Sequence, residues 1–240
     1  MSVGTPARTG LQGLSGALCR GDVAALEPWV ARPSVPAYGL CLLALALGGA
    51  VFGGALGAWR SPLQAAFAAT KLPLLFVLTA ACTGALNGML AKLYGVPLTL
   101  AQSVLSVLSS FALVGLVLGS LAPPLLLLVG SLPGPESTGA RSAHRTILLG
   151  GVGLIGCAGV LANVRLYALL RRFEVARGQA RRTLASWLAV NLFVGAQLSW
   201  NLRPFFGSPH MREQFLRDDP FDGTFYEAVY ASFRSLVLGT

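Results

Sequence analysis

The stretch AYGLCLLALALGGAVFGGALGAW, residues 37–59, decides the fold class because it contains no charged side chain. A helix of that length is about 35 Å long, enough to cross a bilayer core of about 30 Å. Four further apolar runs follow, at 71–90, 100–129, 146–170 and 184–201. We therefore expect an all-α polytopic membrane helix bundle with five transmembrane helices, the third of them long and kinked at Pro123-Pro124.

Composition excludes an ordinary soluble domain. Hydrophobic residues make up 54% of the 240 residues and charged residues 11%, against about 25% charged in soluble domains. The mean hydropathy is +0.67. The expected organisation is an N-terminal tail at 1–36, a transmembrane bundle at 37–202 and a C-terminal tail at 203–240. Residues 1–36 contain no apolar h-region, so no cleavable signal peptide is expected.

Basic side chains determine the expected orientation. The net charge is +9, but no aromatic-and-basic motif accompanies it, so nucleic acid is not an expected partner. The expected partners are the lipid bilayer and other membrane protein subunits. The positive-inside rule places the loop between the fourth and fifth spans, and with it the N-terminal tail, in the cytoplasm and the C-terminal tail outside. The arginines of that loop are Arg171, Arg172, Arg177, Arg181 and Arg182.

Glycines recur at helical spacing in two of the spans. In the first span they are four residues apart and share one helix face, which allows another backbone to approach closely. In the fourth span they recur every third residue. We expect both sets to pack helices together, with the fourth span as the neighbour of the first; a dimer contact is the alternative for the first set. The helix-packing residues are Gly49, Gly53, Gly57, Gly150, Gly153, Gly156 and Gly159.

The end of the fifth span and the C-terminal tail carry the densest polar and aromatic cluster. Arg203 can bond the last carbonyls of the helix, and Pro204 then ends it. The sequence Thr224-Phe-Tyr-Glu227 fits a capping box and predicts an amphipathic helix at the membrane interface. This region is either an ordered cap or a surface for a partner. The interface candidates are Trp200, Arg203, Pro204, Phe205, Phe206, Phe225, Tyr226 and Phe233.

The residues carry no catalytic or metal-binding pattern. His144 and His210 have no second ligand close in sequence, and the four cysteines lack C-x-x-C spacing. Arg165 is the one ionisable candidate inside a predicted span, and it lies close enough to a helix end to reach the cytoplasmic surface. We expect no enzymatic activity, no cofactor and no metal.

Two further stretches stand out: KLPLLFVLT at 71–79, and GAQLSWNLRPFFG at 195–207 followed by Phe225-Tyr-Glu227. They resemble segments of the YIP family of membrane proteins, and in particular of a group of bacterial proteins with a similar layout. The resemblance covers roughly 60–130 and 190–230. It implies five passes, a cytoplasmic N-terminus and no known enzymatic activity. Eukaryotic members act in vesicle traffic with small GTPases, but their Asp-Leu-Tyr-Gly-Pro type motif is replaced here by Trp59-Arg-Ser-Pro62.

Two classes of function remain open. The first is a non-enzymatic scaffold or assembly subunit of a complex in the bacterial cytoplasmic (inner) membrane. The second is a small-solute transporter or channel component, and a lipid-modifying enzyme is disfavoured because catalytic pairs are missing. Transport would require polar side chains to surround a wet cavity. The amides that could do so are Asn87, Asn163, Asn191, Gln197 and Asn201.

Overall fold

The computed structural model describes residues 11–205, 207, 213–227 and 229–230. Within these residues the chain forms α1 (Leu11–Arg20), α2 (Val23–Ala31), α3 (Val35–Gly57), α4 (Pro62–Leu93), α5 (Leu100–Ser131), α6 (Ala140–Leu170) and α7 (Gln179–Asn201). Four of them, α3 to α6, are long and apolar enough to cross a membrane by length and composition. The predicted helical membrane bundle is confirmed at this level.

Helix α4 begins earlier than the sequence interpretation placed it. Ser61 is its N-cap, and its hydroxyl accepts a hydrogen bond from the Gln64 amide at 3.0 Å. Pro62 occupies the first turn, where its missing N–H costs nothing. Pro73 therefore lies inside the helix and not in its first turn. The earlier start also places Lys71 within the helix.

Helix α5 continues through its two prolines. It begins with a capping box, in which Thr99 and Gln102 bond each other's backbone amides at 3.2 and 2.8 Å. It runs without a break from Leu100 to Ser131, with both prolines inside it. Leu125 and Val129, beyond the prolines, are buried against other helices. The kink at Pro123-Pro124 stays a prediction.

The glycine face of α3 packs against α4. A Cβ added to Gly53 would lie 2.4 Å from the carbonyl oxygen of Ala68, and one added to Gly57 would lie 2.5 Å from that of Gln64. Gly49 faces Pro73 at 3.4 Å. The prediction that the fourth span covers this face was therefore wrong. Spacing predicts which residues share a face, but the helix that covers the face is decided by tertiary packing.

A second close contact joins α3 to α5. A Cβ on Gly48 would lie 1.9 Å from the carbonyl oxygen of Gly115, and one on Gly119 would lie 2.9 Å from the Cα of Gly48. No side chain fits at this crossing. Consecutive residues of a helix point about 100° apart, so Gly48 and Gly49 lie on different faces of α3. One face packs against α5 and the other against α4.

The glycine stripe of α6 does not pack within the described part of the chain. A Cβ at Gly150, Gly153, Gly156 or Gly159 would meet no atom within 4 Å. The expectation that these glycines pack helices together inside the chain was therefore wrong. Of the four long apolar helices, α6 has the smallest buried share of its apolar window, 22% against 39–44% for the others.

The N-terminal segment is more ordered than a tail. It contains two short helices, α1 and α2, and the Asp22 carboxylate at the N-cap of α2 accepts from the Ala24 amide at 3.1 Å. Gly21 makes the turn between them with a φ of 58°. Leu14 and Leu18 are buried against α3 and α5. Helix α1 was missed in the sequence because its apolar residues are few and are separated by polar ones.

The helix ends form two groups at opposite ends of the bundle. At one end, Gln102 Nε2 donates to the carbonyl of Ala31 at 2.9 Å, and Arg172 lies 3.8 Å from Glu27. At the other end, Trp59 Nε1 donates to the carbonyl of Pro133 at 3.0 Å. The helices from α3 to α6 alternate between these ends, so the N-terminal helices lie beside the loop that precedes α7.

Candidate functional site

Helix α7 presents its polar side chains to α4. Trp187 is fully buried, and its Nε1 donates to the carbonyl of Asn87 at 2.6 Å. Asn87 Nδ2 in turn donates to Asn191 Oδ1 at 3.1 Å and to Thr83 Oγ1 at 3.3 Å. Farther along, Gly195 lies beside Thr79. These bonds hold α7 antiparallel to α4.

The amides expected around a cavity are found in three separate places. Asn87 and Asn191 bond each other, and Gln197 Nε2 donates to Asn201 Oδ1 at 3.1 Å. Asn163 donates to the carbonyl of Gly159 in its own helix at 2.8 Å. A small cavity of about 20 Å³ lies between the N-terminal helices, α5 and α6, beside Arg165, and none of the five amides lines it.

The chain that leaves α7 docks onto the first half of α4. Lys71 is fully buried, and its Nζ donates to the carbonyl of Pro204 at 2.8 Å. Gln64, also fully buried, donates through Nε2 to the carbonyl of Phe205 at 2.8 Å. Two side chains of α4 therefore donate hydrogen bonds to backbone carbonyls of the segment that follows α7.

An aromatic side chain covers the buried ammonium. Phe215 lies over Lys71, with Nζ 4.9 Å from the ring centroid. The same ring meets Phe67 edge to face, with centroids 5.4 Å apart. A cation over an aromatic face gains about 0.5–2 kcal/mol. The C-terminal segment thus partly compensates a charge that would be costly to bury alone.

A second group of cations surrounds Trp200. The Arg203 guanidinium lies over the indole at 3.0 Å from the ring centroid, and that of Arg217 lies at 5.8 Å. Arg203 Nε also donates to the carbonyl of Trp200 at 2.9 Å, as expected for an arginine at a helix C-terminus. Burial, and then the nearby charge of Arg217, lower the pKa of Arg203.

Arg60 connects three segments at the same end of the bundle. Its Nη1 lies 3.5 Å from Glu136 in the loop before α6, and its Nε lies 3.7 Å from Glu213. Only Glu213 is substantially shielded from solvent, since the Glu136 side chain is 92% exposed. Pairs this exposed contribute little to stability, so Arg60–Glu213 is the ion pair that fixes the C-terminal segment.

The structure brings most of the interface candidates together. Tyr226 stacks on Phe193 with ring centroids 4.7 Å apart and donates to its carbonyl at 2.5 Å. Phe225 meets Trp200 edge to face at 6.5 Å. Arg203, Pro204 and Phe205 lie in the same junction through the contacts given above. Phe206 and Phe233 lie outside the described residues.

The predicted capping box at the start of the C-terminal turn is confirmed. The Thr224 hydroxyl accepts from the Glu227 amide at 3.1 Å, and the Glu227 carboxylate accepts from the Thr224 amide at 3.0 Å. Helical turns follow at 225–227. Gln197 Oε1 accepts from the Phe225 amide at 3.2 Å, so this cap is bonded directly to α7.

Sequence reasoning missed Gln64, Lys71 and Arg217 as parts of this junction. The N-cap and proline pair Ser61-Pro62 was the available signal, because it starts α4 early and brings Gln64 and Lys71 inside the helix. No local pattern signals Arg217, which reaches Trp200 only through the fold of the C-terminal segment. Among the described residues, no three His, Cys, Asp or Glu side chains come together as metal ligands.

No protein-family model matches the chain, and comparisons with curated proteins and with solved structures found no match.

Proposed function

We propose that this chain is a five-pass protein of the bacterial cytoplasmic membrane that serves as a non-enzymatic scaffold or assembly subunit of a membrane complex. The observation that carries the proposal is the outer face of α6, where four glycines have open space around them. The likeness to YIP-type proteins, on the segments quoted above, agrees with five passes and with the lack of an enzymatic role.

The fifth pass is α7. Its composition is too polar for it to count among the four apolar helices, but most of its polar side chains are hydrogen-bonded to protein. Trp187, Asn191 and Gln197 all have partners on α4, on α7 itself or on the C-terminal segment. A helix whose polar groups are satisfied by neighbouring helices tolerates a bilayer, and α7 has the length to cross one.

The face of α6 fits a transmembrane helix of another subunit. Lipid tails are as apolar as leucine, so hydrophobicity alone does not pair helices within a membrane. Small residues do so by letting backbones approach closely. Inside this chain, Gly48 and Gly53 already show that use. The stripe on α6 offers the same kind of surface, and no helix among the described residues covers it.

Enlarging that face is expected to remove a partner without harming the chain. A Cβ at Gly156 meets no atom within 4 Å, so Gly156→Leu should leave the melting temperature unchanged. Overpacking at a helix contact costs about 1–3 kcal/mol, so retention of a membrane subunit should fall about tenfold. Affinity purification in mild detergent, followed by quantitative mass spectrometry, measures both retention and identity.

The matched control is Gly39→Leu, which makes the same change at an exposed glycine of α3, where an added Cβ would also meet no atom within 4 Å. It should retain the partner that Gly156→Leu loses. Equal recovery of every subunit by the wild type and Gly156→Leu would overturn the scaffold proposal. If only a second copy of the chain were recovered, the proposed complex would be a homo-oligomer and not a complex with a different subunit.

The orientation follows from the arginine loop. Arg177, in the segment before α7, should face the cytoplasm. A cysteine introduced as Arg177→Cys should react with a membrane-impermeant maleimide only after intact cells are permeabilised. Reaction in intact cells would invert the orientation while leaving the number of passes unchanged.

Transport is the less supported alternative. A solute path requires polar side chains along one wet route, whereas each of the five candidate amides bonds a neighbour locally. Bonded amides of this kind stabilise helix contacts by about 0.6 kcal/mol each. These hydrogen bonds explain why the amides lie where they do, without a transported substrate.

A further inference from the structure

Three buried hydrogen-bond donors around one indole ring lack acceptors within the described part of the chain. They are Trp200 Nε1, Arg203 Nη2 and Arg217 Nε. Both guanidiniums lie near the Trp200 ring, at 3.0 and 5.8 Å from its centroid. A buried charged donor without an acceptor is strongly unfavourable. The cluster contains donors only, so it is complementary to an anion.

No carboxylate of the described residues neutralises this cluster. Glu213 lies against Arg60, and no carboxylate lies within 4.0 Å of Arg203, Arg217 or Lys71. None of the acids closest to Arg217 in the chain forms an ion pair with it: Asp218 accepts from Gln214, Asp219 and Asp222 are exposed, and Arg217 Nη2 donates only to the backbone carbonyl of Asp222. Two guanidiniums that share one indole repel each other unless a negative charge lies near both.

We propose that Trp200, Arg203 and Arg217 bind a phosphate-bearing anion, with the headgroup of an anionic phospholipid as its source. Phosphate presents several oxygens and accepts paired N–H groups from arginine, which matches two guanidiniums and one indole better than a carboxylate with two oxygens does. The cluster lies at the end of α7, at the level where tryptophan meets headgroups. The lipid source rests on the proposed membrane-spanning function, but the phosphate chemistry does not.

The test uses the full chain in detergent micelles supplied with phosphatidylglycerol or phosphatidylcholine of identical acyl chains. Native mass spectrometry counts the retained lipid, and melting temperature reports stabilisation. We expect preferential retention of phosphatidylglycerol, about tenfold weaker in both Arg203→Gln and Arg217→Gln, as for the loss of a charge-assisted hydrogen bond. Trp200→Phe, which keeps the ring and removes the N–H, should weaken retention less.

Arg145→Gln is the matched control, because Arg145 is exposed near the start of α6 at the same end of the bundle. It should bind phosphatidylglycerol as the wild type does. Inorganic phosphate is a separate arm, in micelles that contain only phosphatidylcholine. Protection by phosphate with the same dependence on Arg203 and Arg217 would support the site with a free anion as ligand.

Equal retention of the two lipids, together with no effect of phosphate, would overturn the proposal. So would phosphatidylglycerol binding that Arg145→Gln weakens as much as Arg217→Gln does. The scaffold proposal is tested by a different measurement, the retention of a partner by Gly156→Leu. Its failure would leave the outcomes of the lipid experiment unchanged.

Discussion

Trp187→Ala is expected to lower the free energy of unfolding in detergent by about 3–5 kcal/mol, the usual cost of removing a large buried aromatic side chain. Trp187 is fully buried between α7 and α4, and its Nε1 donates to the carbonyl of Asn87 at 2.6 Å. The substitution leaves a cavity in the contact that holds α7. Chemical or thermal unfolding, followed by circular dichroism, measures the loss.

Two further variants separate packing from hydrogen bonding at this position. Trp187→Phe retains most of the ring and loses the N–H, so we expect the free energy of unfolding to fall by only about 1 kcal/mol. Leu192→Ala, at an exposed position of the same helix, should have little effect. If Trp187→Ala unfolded at the same temperature as Leu192→Ala, α7 would not be packed against α4.

Gly53→Leu is expected to destabilise the chain by about 1–3 kcal/mol or more, because overpacking at a fixed backbone contact forces helices apart. Even a Cβ at Gly53 would lie 2.4 Å from the carbonyl oxygen of Ala68. Gly48→Leu, at the crossing with α5, should have a loss at least as large. Melting temperature in detergent is the measurement.

The control for these glycine variants is Gly156→Leu, which makes the same change where a side chain meets open space. It should melt with the wild type, as should Leu47→Ala, whose side chain is already exposed. Unchanged melting of Gly53→Leu would contradict the contact between α3 and α4. Loss of stability in Gly156→Leu would mean that α6 packs within the chain after all.

The class of fold was readable from the sequence because it depends on local features. Long uncharged runs predicted the apolar helices, and Thr224 with Glu227 predicted a cap that is present. Both rest on residues within a few positions of one another, where burial length and hydrogen-bond geometry leave few choices.

The partners of each helix were not readable in the same way. The spacing of Gly49, Gly53 and Gly57 defines a face, but the choice of α4 over α6 depends on how all the helices pack together. For the same reason, the stripe on α6 looked equivalent to the one on α3 although the two have different surroundings. Close contact at Gly48 required Gly115, which lies in another helix.

The candidate site was predicted in part. Trp200, Arg203 and Pro204 were predicted as interface residues because they form a dense polar and aromatic cluster at a helix end. Lys71 was assigned to the edge of a span because the start of α4 was placed too late. Arg217 lies in a polar segment without periodicity, so only the folded chain reveals its position beside Trp200.

The number of crossings is tested most directly by comparing the accessibility of two positions in the same cells. Cys19 is exposed at the end of α1, and Asp219 is exposed in the C-terminal segment. In a chain whose other cysteines are replaced by alanine, an impermeant maleimide should modify Cys19 and an introduced Asp219→Cys from opposite sides of the membrane. Five passes require this result in either orientation. Modification of both positions from the same side would contradict the account, because α7 would then not cross the membrane.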